Sequence, residues 1–409
     1  MTLLTVALSR AAQPLIPVAS VSFGKTGLPS GTLGLLAAQG SIGRTLRTLL
    51  GRHVPRWIVL IALVLCSAAS AADWDIAQDI DPNKVVGHKA CAECHQSEIA
   101  AWEKSAHATQ SWSLLEKGEA QKIAERLDVG DATSDQRCTT CHGTQQKGDN
   151  LKAVSCESCH GAAGGESGWL EVHNFFGADL DPKDRTSREK ETEEDYHKRL
   201  ADCDRLGMRR SDNLYALAKN CIECHTVPNE TLVNEGQHPT ETKAFEVVEF
   251  SQGEVRHNFQ LNQAENAAAP TLWTDARFAT DDRSAAGRRS LMYVVGQLAA
   301  CEVSLRSRAT ATGRGKFLTA TNKRILDIKG NLEDIHEEAA IKEVQEVLDA
   351  LEPLKRSLLR KVTDQDPTTY GNLAELVAQA GQQVASSYSG NDWGDVKVPK
   401  KTKGKAYQP

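Results

Sequence analysis

The chain has 409 residues, a formal net charge of -6 and 25% charged side chains. Residues 1–72 contain six Lys or Arg and no Asp or Glu, so the other residues hold 42 basic and 54 acidic side chains, a net charge of -12. This excess of negative charge argues against a nucleic-acid partner and favours a cationic protein partner.

The first element in chain order is an export signal. Arg52 and Arg56 precede the apolar stretch 57-WIVLIALVLCSAASAA-72, which ends in small residues. This order is typical of a secretory signal peptide cleaved near Ala71 or Ala72 and predicts a periplasmic protein. The apolar part is shorter than the roughly 20 residues of a membrane span, so an uncleaved membrane anchor is the less favoured alternative.

The residues before this signal match no export pattern. No Met occurs between Met1 and Met208, and residues 1–50 lack the order of charged, apolar and small residues. We therefore expect the true start to lie downstream, near Val54. Residues 1–72 are interpreted as a signal peptide with a misannotated upstream extension.

One pattern of cysteine and histidine occurs four times: 91-CAECH-95, 138-CTTCH-142, 156-CESCH-160 and 221-CIECH-225. Cys-x-x-Cys-His is the attachment motif of c-type haem. Residues i and i+3 of a helical turn share a face, so both thiols can meet one porphyrin while the following His lies under the iron. The predicted attachment residues are Cys91, Cys94, Cys138, Cys141, Cys156, Cys159, Cys221 and Cys224, and the predicted proximal iron ligands are His95, His142, His160 and His225.

Two other uses of paired cysteines fit the four copies less well. Structural zinc is bound by two Cys-x-x-Cys pairs, but zinc does not require a His directly after every second Cys. A redox-active dithiol needs one such motif and not four. The sequence therefore predicts four covalently bound haem c groups, each with one iron.

The predicted haems also determine the fold that we expect for residues 73–262. This region is rich in charge and poor in long apolar runs, so its side chains alone supply little core. Four porphyrins can supply that core as large apolar bodies. We predict a mainly α fold, with short helices and loops around four haems and little strand.

A second His on each iron gives a six-coordinate haem suited to electron transfer. Histidines outside the motifs are the candidates for this distal position. His107 follows the first motif on a predicted helix, His173 follows the third motif after a Gly-rich turn, and His257 lies beyond the fourth motif. His238 and His88 are further candidates, and His88 is as well explained as a solvated residue before a helix.

These motifs and their surroundings resemble the cytochrome c-554 family of periplasmic tetrahaem cytochromes. The similarity covers roughly residues 84–260, and 91-CAECHQSEIAAWEKSAHA-108 and 154-VSCESCHGAAG-164 carry it. The resemblance implies that His107 is a distal ligand of the third haem and His173 of the first. It also implies a five-coordinate second haem, which His88 or His238 can close here. We expect His257 at the fourth haem, with His238 as second choice.

The residues between the paired cysteines differ among the motifs. Glu93, Glu157 and Glu223 occupy them in motifs one, three and four, while motif two has Thr139 and Thr140. A nearby carboxylate favours the ferric state, although a solvated one has little effect. This difference predicts that the second haem has one of the higher reduction potentials.

Beyond residue 262 the chain has no motif, but apolar residues recur at helical spacing. The stretches 287–305, 339–359 and 371–388 predict helices, with a break near Pro353. We therefore predict a C-terminal helical bundle over residues 263–392. The basic tail, residues 393–409, is predicted to be disordered, and a contact with an anionic membrane surface is the alternative to a solvated tail.

The sequence thus predicts an exported tetrahaem cytochrome that carries electrons from a donor oxidoreductase to an acceptor cytochrome or quinone-linked protein. Family members accept electrons from hydroxylamine-oxidising enzymes, so the resemblance implies a nitrogen-cycle role. An enzyme is the rival hypothesis, because an open second haem can bind and reduce nitric oxide or a similar nitrogen oxide. A third hypothesis makes the chain an electron-transfer subunit of a larger oxidoreductase complex.

Overall fold

The computed structural model describes residues 80–92, 95–166, 168–174, 192–240, 245–251, 284–360, 366–394, 396–400 and 403. All of them lie in one compact unit, residues 70–409. The predicted signal peptide, the upstream extension, Cys94 and His257 lie outside the described residues. The division of residues 73–392 into a haem domain and a helical domain stays a prediction.

The described part of residues 80–251 consists mostly of short helices joined by loops. Their bounds are α1 His88–Cys91, α2 Gln96–Trp102, α3 Ala106–Thr109, α4 Ser111–Leu115, α5 Gly118–Arg126, α6 Gln136–His142, α7 Cys156–His160, α8 Trp169–His173, α9 Glu193–Arg205, α10 Leu214–His225, α11 Glu230–Asn234 and α12 Val247–Ser251. No strand occurs among the described residues, and Thr144 and Leu151 form a single antiparallel bridge. The mainly helical fold predicted from the sequence is confirmed.

Polar side chains cap the N-termini of several of these helices, including two that carry attachment motifs. Ser105 caps α3 by accepting from the Ala108 N–H, and the Asp135 carboxylate caps α6 by accepting from the Arg137 N–H. Asn213 caps α10 in the same way. Such caps satisfy backbone donors that have no partner within the helix, so these sequences fix where α3, α6 and α10 begin.

The apolar clusters of the region around the first three motifs are small. One contains Trp112, Leu115, Ala124, Ala132 and Cys138, and another contains Ala163, Trp169 and Cys203. Clusters of this size bury little apolar area, so side-chain packing among these residues contributes little folding free energy.

Five helices after residue 283 form a much larger apolar core. They are α13 Ala285–Thr310, α14 Lys316–Ala339, α15 Lys342–Leu351, α16 Lys355–Arg360 and α17 Pro367–Ser387. A 3-10 turn, Glu352–Leu354, stands at the break predicted near Pro353. The sequence analysis missed α14, although Phe317, Ile325 and Leu332 recur at helical spacing and are buried.

The helix of the fourth motif belongs to the same core. Leu214, Tyr215, Ala218 and Ile222 of α10 pack with residues of α13 and α17. Apolar burial therefore holds the fourth motif against the C-terminal helices. In the part of the chain that the structure describes, no helix combines the length and apolarity that crossing a bilayer requires.

Two cysteines outside the motifs are buried free thiols. Cys203 lies in the small cluster beside Trp169, and Cys301 lies in the core formed by the C-terminal helices. The disulfide between them that an oxidising compartment allows is therefore not present. Each thiol packs as a small apolar side chain.

A buried carboxylate links α10 to α13. Glu302 is fully buried and accepts hydrogen bonds from the Tyr215 hydroxyl at 2.6 Å, the Lys219 ammonium at 2.8 Å and the Arg306 guanidinium at 2.7 Å. Because Tyr215 and Lys219 lie in α10, this carboxylate fixes the rotation of the helix that carries the fourth motif.

Replacing Glu302 with alanine is expected to lower the free energy of unfolding by about 2 to 3 kcal/mol, because three donors lose their acceptor while Lys219 and Arg306 remain partly solvated. Urea unfolding followed by helix circular dichroism measures this loss. Glu375→Gln is the matched control. Glu375 is exposed and contacts the same Arg306, so its effect should stay below about 0.5 kcal/mol. Equal effects of the two variants would contradict the prediction.

Candidate functional site

The motifs lie at helix ends, where their residues share one face. The second motif occupies the last turn of α6, the third motif is α7 itself, and the fourth ends α10. In the first motif, Cys91 ends α1 and His95 is the N-cap of α2. Helical spacing therefore presents each described cysteine pair and its His in the arrangement that haem attachment requires.

The cysteines of different motifs contact one another. The thiols here stand in for the thioether sulfurs that haem attachment would form. The Cys91 thiol interacts with the Cys156 thiol, and the Cys141 thiol with the Cys224 thiol. Cys159 interacts electrostatically with Cys224, which places the third motif beside the fourth. The motifs therefore follow one another in space in the order first, third, fourth and second.

Four of the site histidines have their Nδ1 atoms close to an oxygen acceptor. The partners are the Ser111 carbonyl for His142 at 3.0 Å, the Arg209 carbonyl for His160 at 2.8 Å, the Asn174 side-chain oxygen for His173 at 3.1 Å and the Pro239 carbonyl for His238 at 2.9 Å. A protonated Nδ1 donates to that oxygen and leaves Nε2 with a free lone pair. Metal-ligating histidines use the same arrangement.

Burial keeps several of these rings neutral. It lowers the pKa of His142 and His173, and it lowers the pKa of His225 to about 4. A protonated imidazole has no lone pair for a metal, so a lowered pKa keeps the ligand form populated at pH 7.

Three motif histidines each face a histidine from elsewhere in the chain. The ring centres are 5.9 Å apart for His95 and His173, 6.0 Å for His107 and His225, and 6.4 Å for His142 and His238. With about 2 Å from metal to nitrogen and roughly 1.1 Å from nitrogen to ring centre, two imidazoles on opposite sides of one metal place their ring centres about 6 Å apart. The observed pairs fit two axial ligands of one haem iron.

One of these pairs differs from what the resemblance implied. His107 lies beside His225 of the fourth motif, whereas the resemblance gave it to the third haem. The backbone of this segment still meets the third motif, because the Val154 N–H donates to the His107 carbonyl and holds α3 against the segment before that motif. The His107 ring faces the fourth motif, the position that the sequence analysis gave to His257.

The other candidates have different surroundings. His238 lies beside the second motif, one of the two places for which it was a candidate, the other being the fourth haem. The His88 ring packs on Trp102 with ring centres 4.8 Å apart, and its buried Nδ1 has no partner among the described residues. The distal roles of His88 and His257 stay predictions.

Two of the three motif glutamates are buried. Glu157 is fully buried and accepts from the backbone N–H groups of Val86 at 3.0 Å, Gly87 at 2.7 Å and Ala163 at 2.9 Å. Glu223 is 6% exposed, and burial raises its pKa to about 7 against the opposing effect of Lys219. The solvated alternative is therefore wrong for these two residues.

The burial of Glu157 and Glu223 strengthens the expectation that the second haem has one of the higher reduction potentials. A carboxylate screened from water acts on a nearby iron more strongly than an exposed one, and motif two has only threonines. We expect the second haem to have one of the highest of the four potentials above pH 8, where Glu223 is ionised. Electron paramagnetic resonance during a redox titration measures this order. A second haem that is reduced last would contradict it.

Sequence reasoning missed several residues that shape the site. Phe245 stacks on His225 with ring centres 4.4 Å apart, and the Asn220 amide donates to the Ser158 carbonyl at 3.1 Å. The Trp102 indole donates to the Val154 carbonyl at 2.9 Å. No pattern in the sequence marks Phe245 or Asn220, because each meets its partner only after the chain has folded.

Comparison with known proteins agrees with this geometry. The model of the family described as cytochrome c554 and c-prime matches residues 90–161, a segment that holds the first three motifs. The matched segment therefore supports the resemblance to the cytochrome c-554 family. No curated protein and no solved structure matches the chain. The matched segment supports a haem-based electron-transfer cytochrome with covalently bound haem c.

Proposed function

We propose that the chain is an exported, periplasmic tetrahaem cytochrome that carries electrons from a donor oxidoreductase to an acceptor cytochrome or quinone-linked protein. The observation that carries the proposal is the set of three His–His pairs, each with one motif His and each near the 6 Å spacing of two axial imidazoles. Four attachment motifs with this ligation are typical of electron transfer.

The chain's own residues would hold three of the four irons between two imidazoles each. We assign His95 with His173 to the first haem, His142 with His238 to the second and His225 with His107 to the fourth. Bound haem supplies an iron that takes up and releases one electron. Hydrogen bonds at Nδ1 of His142, His173 and His238 fix the ring orientations, so the ligands move little when the charge changes.

The order of the motifs supports a path for the electrons. Contacts between Cys91 and Cys156, and between Cys141 and Cys224, support neighbouring positions for haems one and three and for haems two and four. Electrons would enter at one end of this row, the first or the second haem, and leave at the other.

The pair at the second motif favours a carrier over a reductase. Reduction of nitric oxide requires an open iron position, and His238 lies where it can occupy that position. The subunit hypothesis has no specific contact in its favour, and a partner co-purifying at fixed stoichiometry would support it.

Haem content, compartment and spin state test the proposal together. The protein is produced in a host that attaches haem c, and the periplasmic fraction is analysed by pyridine haemochrome assay and intact mass. We expect four haems per chain, low-spin signals at low temperature from the three irons with paired histidines, and no reaction of the second haem with nitric oxide. Fewer than four haems, or a cytoplasmic holoprotein, would contradict the tetrahaem carrier. A high-spin second haem that binds nitric oxide would favour the reductase.

A further inference from the structure

Arg209 lies against the third motif. Its backbone N–H donates to the His160 carbonyl at 2.9 Å, and its carbonyl accepts from His160 Nδ1 at 2.8 Å. Its guanidinium Nε donates to the Cys159 carbonyl at 3.2 Å. The two backbone contacts do not depend on the side chain, so the guanidinium adds a charge to a site that the backbone already orients.

The same charge reaches the fourth motif. The Arg209 guanidinium interacts electrostatically with Cys221 and Glu223, which lie on the last turns of α10. The third motif packs directly on this helix, since Asn220 donates to the Ser158 carbonyl. One cation therefore lies between the attachment residues of two haems.

The neighbouring Arg210 differs from Arg209 in its ion pairs. Arg210 is neutralised by Asp204 through two hydrogen bonds of 2.8 Å and by Asp212 at 3.0 Å. Within the described residues, no ion pair of Arg209 is found. The charge of Arg210 is thus offset locally, whereas that of Arg209 faces the two motifs.

We propose that Arg209 is a potential-setting residue shared by the third and fourth haems, whose guanidinium stabilises the reduced state of both. A positive charge near an iron favours the ferrous state, because reduction lowers the positive charge of the iron. The Arg209 charge then offsets the buried carboxylates of Glu157 and Glu223. The reduction potentials of the third and fourth haems, which lie in the middle of the row, therefore stay close to those of the first and second haems. This inference rests on the proposed function, since it requires haems at both motifs.

Three variants of the full, haem-loaded chain test the inference by spectroelectrochemical titration. Arg209→Gln removes the charge, Arg209→Lys keeps it, and Arg210→Gln removes a neighbouring charge that Asp204 and Asp212 already offset. We expect Arg209→Gln to lower two of the four potentials by about 59 mV or more, a tenfold change in a one-electron equilibrium. Arg209→Lys should stay near the wild type, and Arg210→Gln should leave all four potentials unchanged.

Several results would overturn the inference. Unchanged potentials in Arg209→Gln would show that its charge does not act on the haems. Equal shifts in Arg209→Gln and Arg210→Gln would show a general effect of net charge. Loss of a haem in Arg209→Gln with full loading of Arg209→Lys would show a structural role instead. Four haems in the wild type with any of these results would leave the proposed function standing, whereas fewer than four haems in the wild type would contradict it.

Discussion

Replacing His238 with alanine is expected to change one of the four haem irons from six-coordinate and low-spin to five-coordinate and high-spin. The reason is the pair formed by His142 and His238, whose ring centres lie 6.4 Å apart. The His238 Nδ1 lies 2.9 Å from the Pro239 carbonyl, which leaves Nε2 as the ligand atom. Removal of the ring leaves an open position that nitric oxide can occupy.

Low-temperature electron paramagnetic resonance of the oxidised variant measures the change, and one equivalent of nitric oxide should bind per chain. His197→Ala is the matched control. The His197 side chain is 74% exposed and lies 3.7 Å from Glu193, so its removal should leave the spin state of every iron unchanged. No new high-spin iron in His238→Ala would show that another residue ligates the second haem.

The second large effect is expected for Glu157→Ala, which should lower the free energy of unfolding by about 3 to 5 kcal/mol. The fully buried carboxylate accepts three backbone N–H groups, from Val86, Gly87 and Ala163. Each buried donor left without an acceptor costs about 1 to 3 kcal/mol, and alanine offers no oxygen in its place. Because Val86 and Gly87 directly precede α1, losing their hydrogen bonds to Glu157 also weakens the contact between the first motif and the third.

Guanidinium unfolding of the haem-loaded protein, followed by helix circular dichroism, measures this loss. Glu171→Ala removes an exposed carboxylate from α8 and should change stability by less than about 0.5 kcal/mol. The weaker contact between the first and third motifs can be observed separately. The spectroscopic signals of the first and third haems should change, while those of the second and fourth haems stay as in the wild type. A loss for Glu157→Ala no larger than that for Glu171→Ala would contradict the prediction.

The sequence by itself determined the chemistry of attachment. Four Cys-x-x-Cys-His motifs predict where haem is attached, because a helical turn alone brings two thiols and a His to one face. It also determined the helical character of the chain and the break near Pro353, since Pro cannot continue a helix without losing a hydrogen bond. These properties depend on residues that are close together in the chain, and such spacing can be read directly from a sequence.

Only the tertiary structure decided which histidines face each other. His107 and His225 are 118 positions apart in the chain, and no periodicity connects them. The same holds for Glu157, which is a polar residue inside a motif but is hydrogen-bonded by Val86 and Gly87 from about 70 positions earlier. Pairing across such separations depends on how loops close and helices pack, and single-residue patterns carry no record of it. The motifs therefore came from the sequence, while the histidine pairs, the order of the motifs in space and the position of Arg209 came from the fold.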